Sequence, residues 1–140
     1  YDDWDELQCG SYAFMDADYG KNKFNDKEDG TSFDHSLFIH TMVMSTNQPN
    51  MVICDAGLKA IASDSGNPTI YGYEHLKYRM TSDEHGNIDL DENTSFKLGD
   101  RITLIPGHCD PNVNLYDWYV GIRNGTVEKV WPVAARGALS

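Results

Sequence analysis

The chain has 140 residues, 40% of them hydrophobic, and 22 acidic side chains against 11 basic ones give it a formal net charge of −11. That length suits one domain with a core of its own, and no apolar run approaches the ~20 residues a membrane-spanning helix needs. An acidic surface gains no counterion release from nucleic acid and is repelled by an anionic membrane, so neither is expected as a partner.

Acidic residues gather at positions 2–6 and 26–34, which read as solvated surface. An opening of helical character precedes a strand-like piece at residues 11–15. Residues 20–36 are polar and rich in Lys, Asn and Asp, as a connector would be. From Leu37 the pattern is almost wholly β. Residues 37–44 alternate, and 51–54 form an apolar run stopping at Asp55-Ala56-Gly57, a turn in which Gly57 is expected to supply a positive φ. Further strands are predicted at 69–73, 76–80, 101–105, 118–123 and 127–131. Asn124-Gly125 between the last two is a strong hairpin signal, and His85-Gly86-Asn87 marks a second turn. Trp131-Pro132 is expected to pack in the core at the last strand. Short strands at this spacing imply a mainly β fold, a sandwich or small barrel.

Cys9, Cys54 and Cys109 are isolated and odd in number. They do not suggest a disulfide framework, and they favour the cytoplasm or another reducing compartment.

The candidate chemistry centres on Pro106-Gly107-His108-Cys109-Asp110-Pro111. In an extended segment residues i and i+2 share a side, so His108 and Asp110 can converge on one ion while Cys109 faces away. An imidazole with a hard carboxylate suits Zn or Mn, and two protein ligands leave positions for water or substrate. On spacing alone, the same residues more often make a hydrogen-bonded loop than a metal site.

The stretch Ile105-Pro-Gly-His-Cys-Asp-Pro-Asn-Val-Asn-Leu-Tyr-Asp117 resembles the metal-binding signature of the D-threonine aldolase and D-serine dehydratase-like family. Four more segments agree in order: residues 6–16, 55–60, the run Ser82-Asp-Glu-His-Gly86, and Val130-Trp-Pro-Val-Ala-Ala-Arg-Gly137. The resemblance covers nearly the whole chain. It implies the architecture of alanine racemase-type (fold-type III) enzymes, in which a (β/α)8 barrel binding pyridoxal phosphate (PLP) precedes a C-terminal β domain. Residues 1–20 would then be a remnant of the barrel end, 21–36 the connector and 37–140 the C-terminal β domain. A barrel of about 250 residues does not fit in 140, and a chain opening at Tyr1 rather than Met is expected to have lost, or never to have included, something upstream.

The resemblance also implies roles. His108 and Asp110 become ligands of a divalent metal beside the PLP ring, where the ion would hold the hydroxyl of a small D-3-hydroxy amino acid. The dehydratase branch uses His-x-Cys with zinc, so Asp at 110 points to the aldolase branch. Asn112 departs from the Thr expected there. Gly10, Ser11 and Tyr12 would contact the PLP phosphate; without the resemblance they are a plain turn. His85, with Asp83 and Glu84, could reach the site of a partner subunit or simply end a solvated hairpin. Arg136 could meet a carboxylate or form an interface ion pair. None of the lysines lies in a PLP-binding motif of the kind found near the first barrel strand, so the 140 residues alone are expected to be inactive. Two readings follow: the metal-binding part of a PLP- and metal-dependent D-threonine aldolase-like lyase, or a stand-alone structural or interaction module derived from it. A weaker third is a small metal-binding protein. Without the barrel, the β domain would expose a surface its relatives bury, which predicts a PLP-barrel partner, a homodimer or self-assembly.

Overall fold

The computed structural model describes residues 5–6, 9–22, 33–80, 82–134 and 136–137. The long first strand β1, Ile39–Gln48, buries Ile39, Thr41 and Val43 and exposes the residues between, a period of two that gives one side to the core and one to water. It pairs antiparallel with β2, Met51–Cys54, and with β6, Arg101–Ile105. β3 (Thr69–Ile70), β4 (Lys77–Met80) and β5 (Gly86–Asp89) complete a six-stranded sheet in the order β3-β6-β1-β2-β5-β4. Every pairing is antiparallel, and the two edges β3 and β4 approach each other, so the sheet is nearly closed and barrel-like.

Ile39, Val43, Val52, Cys54, Ile61, Ile70, Ile88 and Leu104 fill its interior. The Tyr78 hydroxyl, also inside, donates to the Ala56 carbonyl. Gly86 makes room for that ring, since a Cβ there would come 2.2 Å from the Tyr78 oxygen. Asp55 closes the end of β2 by accepting from Thr41 Oγ1 at 2.5 Å and from the Met42 amide at 2.9 Å.

β7 (Trp118–Arg123) and β8 (Thr126–Pro132) form a separate hairpin. Its turn takes φ of 51° at Asn124 and 75° at Gly125, the left-handed pair that a two-residue turn matched to strand twist requires. The one described helix of α type is α1, Cys109–Asn114, directly after β6.

The mainly β expectation is met, and strands 51–54, 101–105 and 118–123 fall where the pattern puts them. Other details differ. Residues 11–13 form a 3₁₀ turn rather than a strand. Gly86 and Asn87 lie inside β5, and the turn before them is closed by Ser82 and His85. Gly57 has no positive φ; it is needed because a Cβ would sit 2.4 Å from the His85 amide nitrogen. Trp131 is 42% exposed, because its hairpin stands outside the core, and its ring lies over Gly121. The helical opening and the middle of the connector fall largely outside the described residues.

Candidate metal centre

His108 is the residue before α1, with an extended backbone (φ −145°, ψ 129°). The expected extended run through residue 110 is therefore replaced by the first turn of a helix. Pro111 is compatible with that turn because its missing N–H would have had no helical partner. The outcome for the side chains is the same as expected: Asp110 Oδ2 lies 3.7 Å from His108 Nε2, while Cys109 turns inward and is 1% exposed.

On its other side the imidazole has a partner that sequence reasoning did not single out. Asp64 Oδ2 lies 2.7 Å from His108 Nδ1, and Ser65 Oγ is 3.4 Å from the same nitrogen. The hydrogen bond to Asp64 raises the pKa of His108, and the same bond lowers that of Asp64. Asn112 ties the pieces together from inside: its Nδ2 donates to the His108 carbonyl at 2.6 Å, and its Oδ1 accepts from the Ala62 amide at 2.9 Å. The position where the resemblance expected Thr thus carries an amide that uses both ends.

Asp16 secures the opposite flank. It is fully buried, and its Oδ2 accepts from the Cys109 amide at 2.9 Å and from the Cys109 thiol at 3.3 Å. Its Oδ1 accepts from the amides of Asp18 and Tyr19. The Ala17 and Asp18 amides donate in turn to the carbonyls of Pro106 and Gly107. Burial, then the hydrogen bond to Asp16, pushes the Cys109 thiol up to about 12. The Cys109 sulfur is thus buried against Asp16, whereas the Asp110 carboxylate is exposed.

The donors available are therefore an imidazole nitrogen and an exposed carboxylate oxygen. Ligand atoms each about 2.1 Å from one ion lie up to about 4 Å apart, so the 3.7 Å separation fits a shared divalent ion. Among the described residues no three His, Cys, Asp or Glu side chains converge on one point. Two protein ligands would leave the ion's remaining positions open.

The other sequence candidates are not brought to this point. Gly10 precedes the 3₁₀ turn Ser11–Ala13, exposed and with no atom within 4 Å of where its Cβ would be. Tyr12 is also exposed, its ring 5.6 Å from that of Phe33. His85 lies in the β4–β5 turn, in a shallow pocket with Met44, Ile53 and Ser82; β1 and β2 separate its strand β5 from β6. Glu84 of that turn pairs with Lys59. Arg136 pairs with Asp117 at 2.9 Å within the chain. Beside α1, a groove of about 1030 Å³ runs between the barrel and the hairpin, lined by Phe14, Phe38, Val113, Tyr119 and Trp131 among others.

Residues 36–122 match the family model described as "Putative serine dehydratase domain". The chain belongs to the D-threonine aldolase and D-serine dehydratase-like family. It is 53% identical over 138 residues to a 3-hydroxy-D-aspartate aldolase of Paracoccus denitrificans, covering 96% of this chain and 35% of that protein. It is 45% identical over 134 residues to a D-threonine aldolase of Arthrobacter sp., covering 94% and 34% respectively. Among solved structures it superimposes on D-threonine aldolase from Filomicrobium marinum with a TM-score of 0.87 at 41% identity, over 98% of this chain and 38% of the other. The chain thus spans about a third of the length of the relatives it matches. No helix among the described residues is long and apolar enough to cross a membrane.

Proposed function

We propose that this chain is the C-terminal, metal-binding part of a PLP- and divalent-metal-dependent aldolase that cleaves small D-3-hydroxy amino acids to glycine and an aldehyde. The observation that carries this reading is the pairing of His108 Nε2 with Asp110 Oδ2 across 3.7 Å, with the intervening thiol turned inward. It stands in a chain similar to enzymes named for D-threonine and for 3-hydroxy-D-aspartate, both D-3-hydroxy amino acids. His108 and Asp110 would hold Mn or Zn, a choice consistent with one borderline nitrogen and one hard oxygen. When bound, the ion supplies Lewis-acid polarisation of the 3-hydroxyl, and PLP supplies the electron sink.

The protein's own contribution is position. Asn112 fixes the His108 backbone, and the exposed Asp110 carboxylate is free to face a ligand outside this chain. Gly10, Ser11 and Tyr12 are proposed as phosphate contacts of PLP, and His85 as a residue reaching a neighbouring subunit's site. The lysine that carries PLP is assigned to a barrel portion outside these residues, so the chain by itself should not turn over.

The test is glycine release from D-threonine and 3-hydroxy-D-aspartate by the native polypeptide, supplied with PLP and Mn. Metal-dependent release that is lost in His108→Ala and Asp110→Ala supports the reading. Release that survives both substitutions removes the metal-site part of the reading, and no release with either substrate removes the whole of it in favour of a non-catalytic module.

A further inference from the structure

We propose that Asp64 is a positioning residue for His108: it accepts the Nδ1–H hydrogen bond and so holds the ring in the tautomer whose Nε2 lone pair faces Asp110. The inference rests on the metal-site reading above and deepens it. A neutral imidazole carries one proton on two nitrogens. With Nδ1 held 2.7 Å from a carboxylate oxygen, the proton belongs there and Nε2 is left as the free donor. Carboxylate, imidazole and ion in that order is the arrangement in which an outer partner orients a ligand and raises its basicity.

The pairing is built from the backbone outward. Asp64 lies in the segment between Ile61, fully buried in the core, and Gly66, whose amide donates to the Ser63 carbonyl. Two contacts fasten this segment to the one bearing His108. The Ala62 amide donates to Asn112 Oδ1, and Asn112 Nδ2 donates to the His108 carbonyl, so one buried side chain spans both. Gly107 meets Gly66 so closely that a Cβ would lie 2.2 Å from the Gly66 oxygen. Asp64 and His108 are thus set against each other by constraints on both sides.

Exposure separates this role from a purely structural one. The Asp64 side chain is 49% exposed, and ion pairs of that kind contribute little to folding. Its effect should fall on the imidazole rather than on the stability of the chain.

The experiment is a Mn²⁺ titration of the full chain, with free Mn²⁺ read by electron paramagnetic resonance. Wild type, Asp64→Ala, Asp64→Asn and His108→Ala are compared, together with the Asp64→Ala/His108→Ala double variant. The expected result is affinity weakened about 10- to 100-fold in Asp64→Ala, with an intermediate loss in Asp64→Asn, whose amide oxygen still accepts from Nδ1–H. In the His108→Ala background the Asp64 change should cost nothing further. With the ring neutral and metal-free, the ¹⁵N shifts of His108 should report Nδ1–H in wild type and a shift toward Nε2–H in Asp64→Ala. Should Asp64→Ala not fold, Asp64→Asn and its ¹⁵N shifts carry the test. Affinity within about threefold of wild type in the Asp64 variants, or a loss that persists without His108, would overturn the proposal. A wild type that binds Mn²⁺ no better than His108→Ala would instead remove the metal site itself, and this inference with it.

Discussion

Cys109 and Asp110 are adjacent, yet one is sealed inside against Asp16 and the other is 79% exposed. Their division predicts how the site discriminates. Asp110→Cys would offer a soft sulfur where a hard oxygen stands, so competition binding should show preference moving from Mn toward Zn by roughly tenfold or more. Burial should also make thiol labelling selective. Under native conditions only the exposed Cys9 should react with an alkylating reagent, and Cys54 and Cys109 should join it after unfolding. The sign of the pH effect follows from the same burial. With the folded thiol at about 12 and the unfolded one near the ordinary 9.0, Cys109 contributes stability that is present below about pH 9 and fades as pH rises. Denaturant unfolding should therefore show the advantage of wild type over Cys109→Ala shrinking as pH rises from about 9 toward about 12. His108 and Asp110 could be picked out of the sequence because they are two positions apart. Asp64 and Asp16 could not: they lie 44 residues from His108 and 93 from Cys109, and only the fold makes those distances short.

Strands were more legible than the segment that carries the proposed ligands. β2, β6 and β7 are bounded as their apolar patterns predict, and Asn124-Gly125 gives the turn its composition implies. α1 was missed because six residues are too few for helical periodicity to register, and because the residue before a proline usually avoids helical dihedrals. Gly57 was legible as a turn residue but for the wrong cause, since the His85 backbone presses where its side chain would be. Such contacts are testable. Gly107→Ala forces backbone apart at the Gly66 oxygen and should cost about 1–3 kcal/mol in chemical denaturation. It should also weaken Mn binding, because the segments bearing Asp64 and His108 must separate. Gly125→Ala, with nothing within 4 Å of the new Cβ, meets only the dihedral penalty of φ 75°; it should cost about 1 kcal/mol and leave metal affinity unchanged.

At the scale of the molecule, the hairpin bears Trp118, Val120, Ile122, Val127 and Val130, each more than half exposed. Apolar area of this kind seeks cover. The chain alone should therefore self-associate as its concentration rises, and sedimentation should show Val120→Lys with Ile122→Lys weakening that association while the far-ultraviolet spectrum holds. The fold class was readable because the period of two recurs across most strands. The near-closure of the sheet was not, since it depends on β3 and β4, the two edge strands, coming together. The clamp around His108 also has a temporal side. Asp16, Ala62 and Asp64 all precede His108 in the chain, and at ~5–20 residues per second the 44 residues from Asp64 to His108 take about 2 to 9 s to synthesise. On the ribosome Asp64 and Ser65 exist before the imidazole they meet, and Asp110 follows it. The proposed ligand segment is thus made after Asp16, Ala62 and Asp64, and an ion would find no paired ligands until Asp110 follows His108.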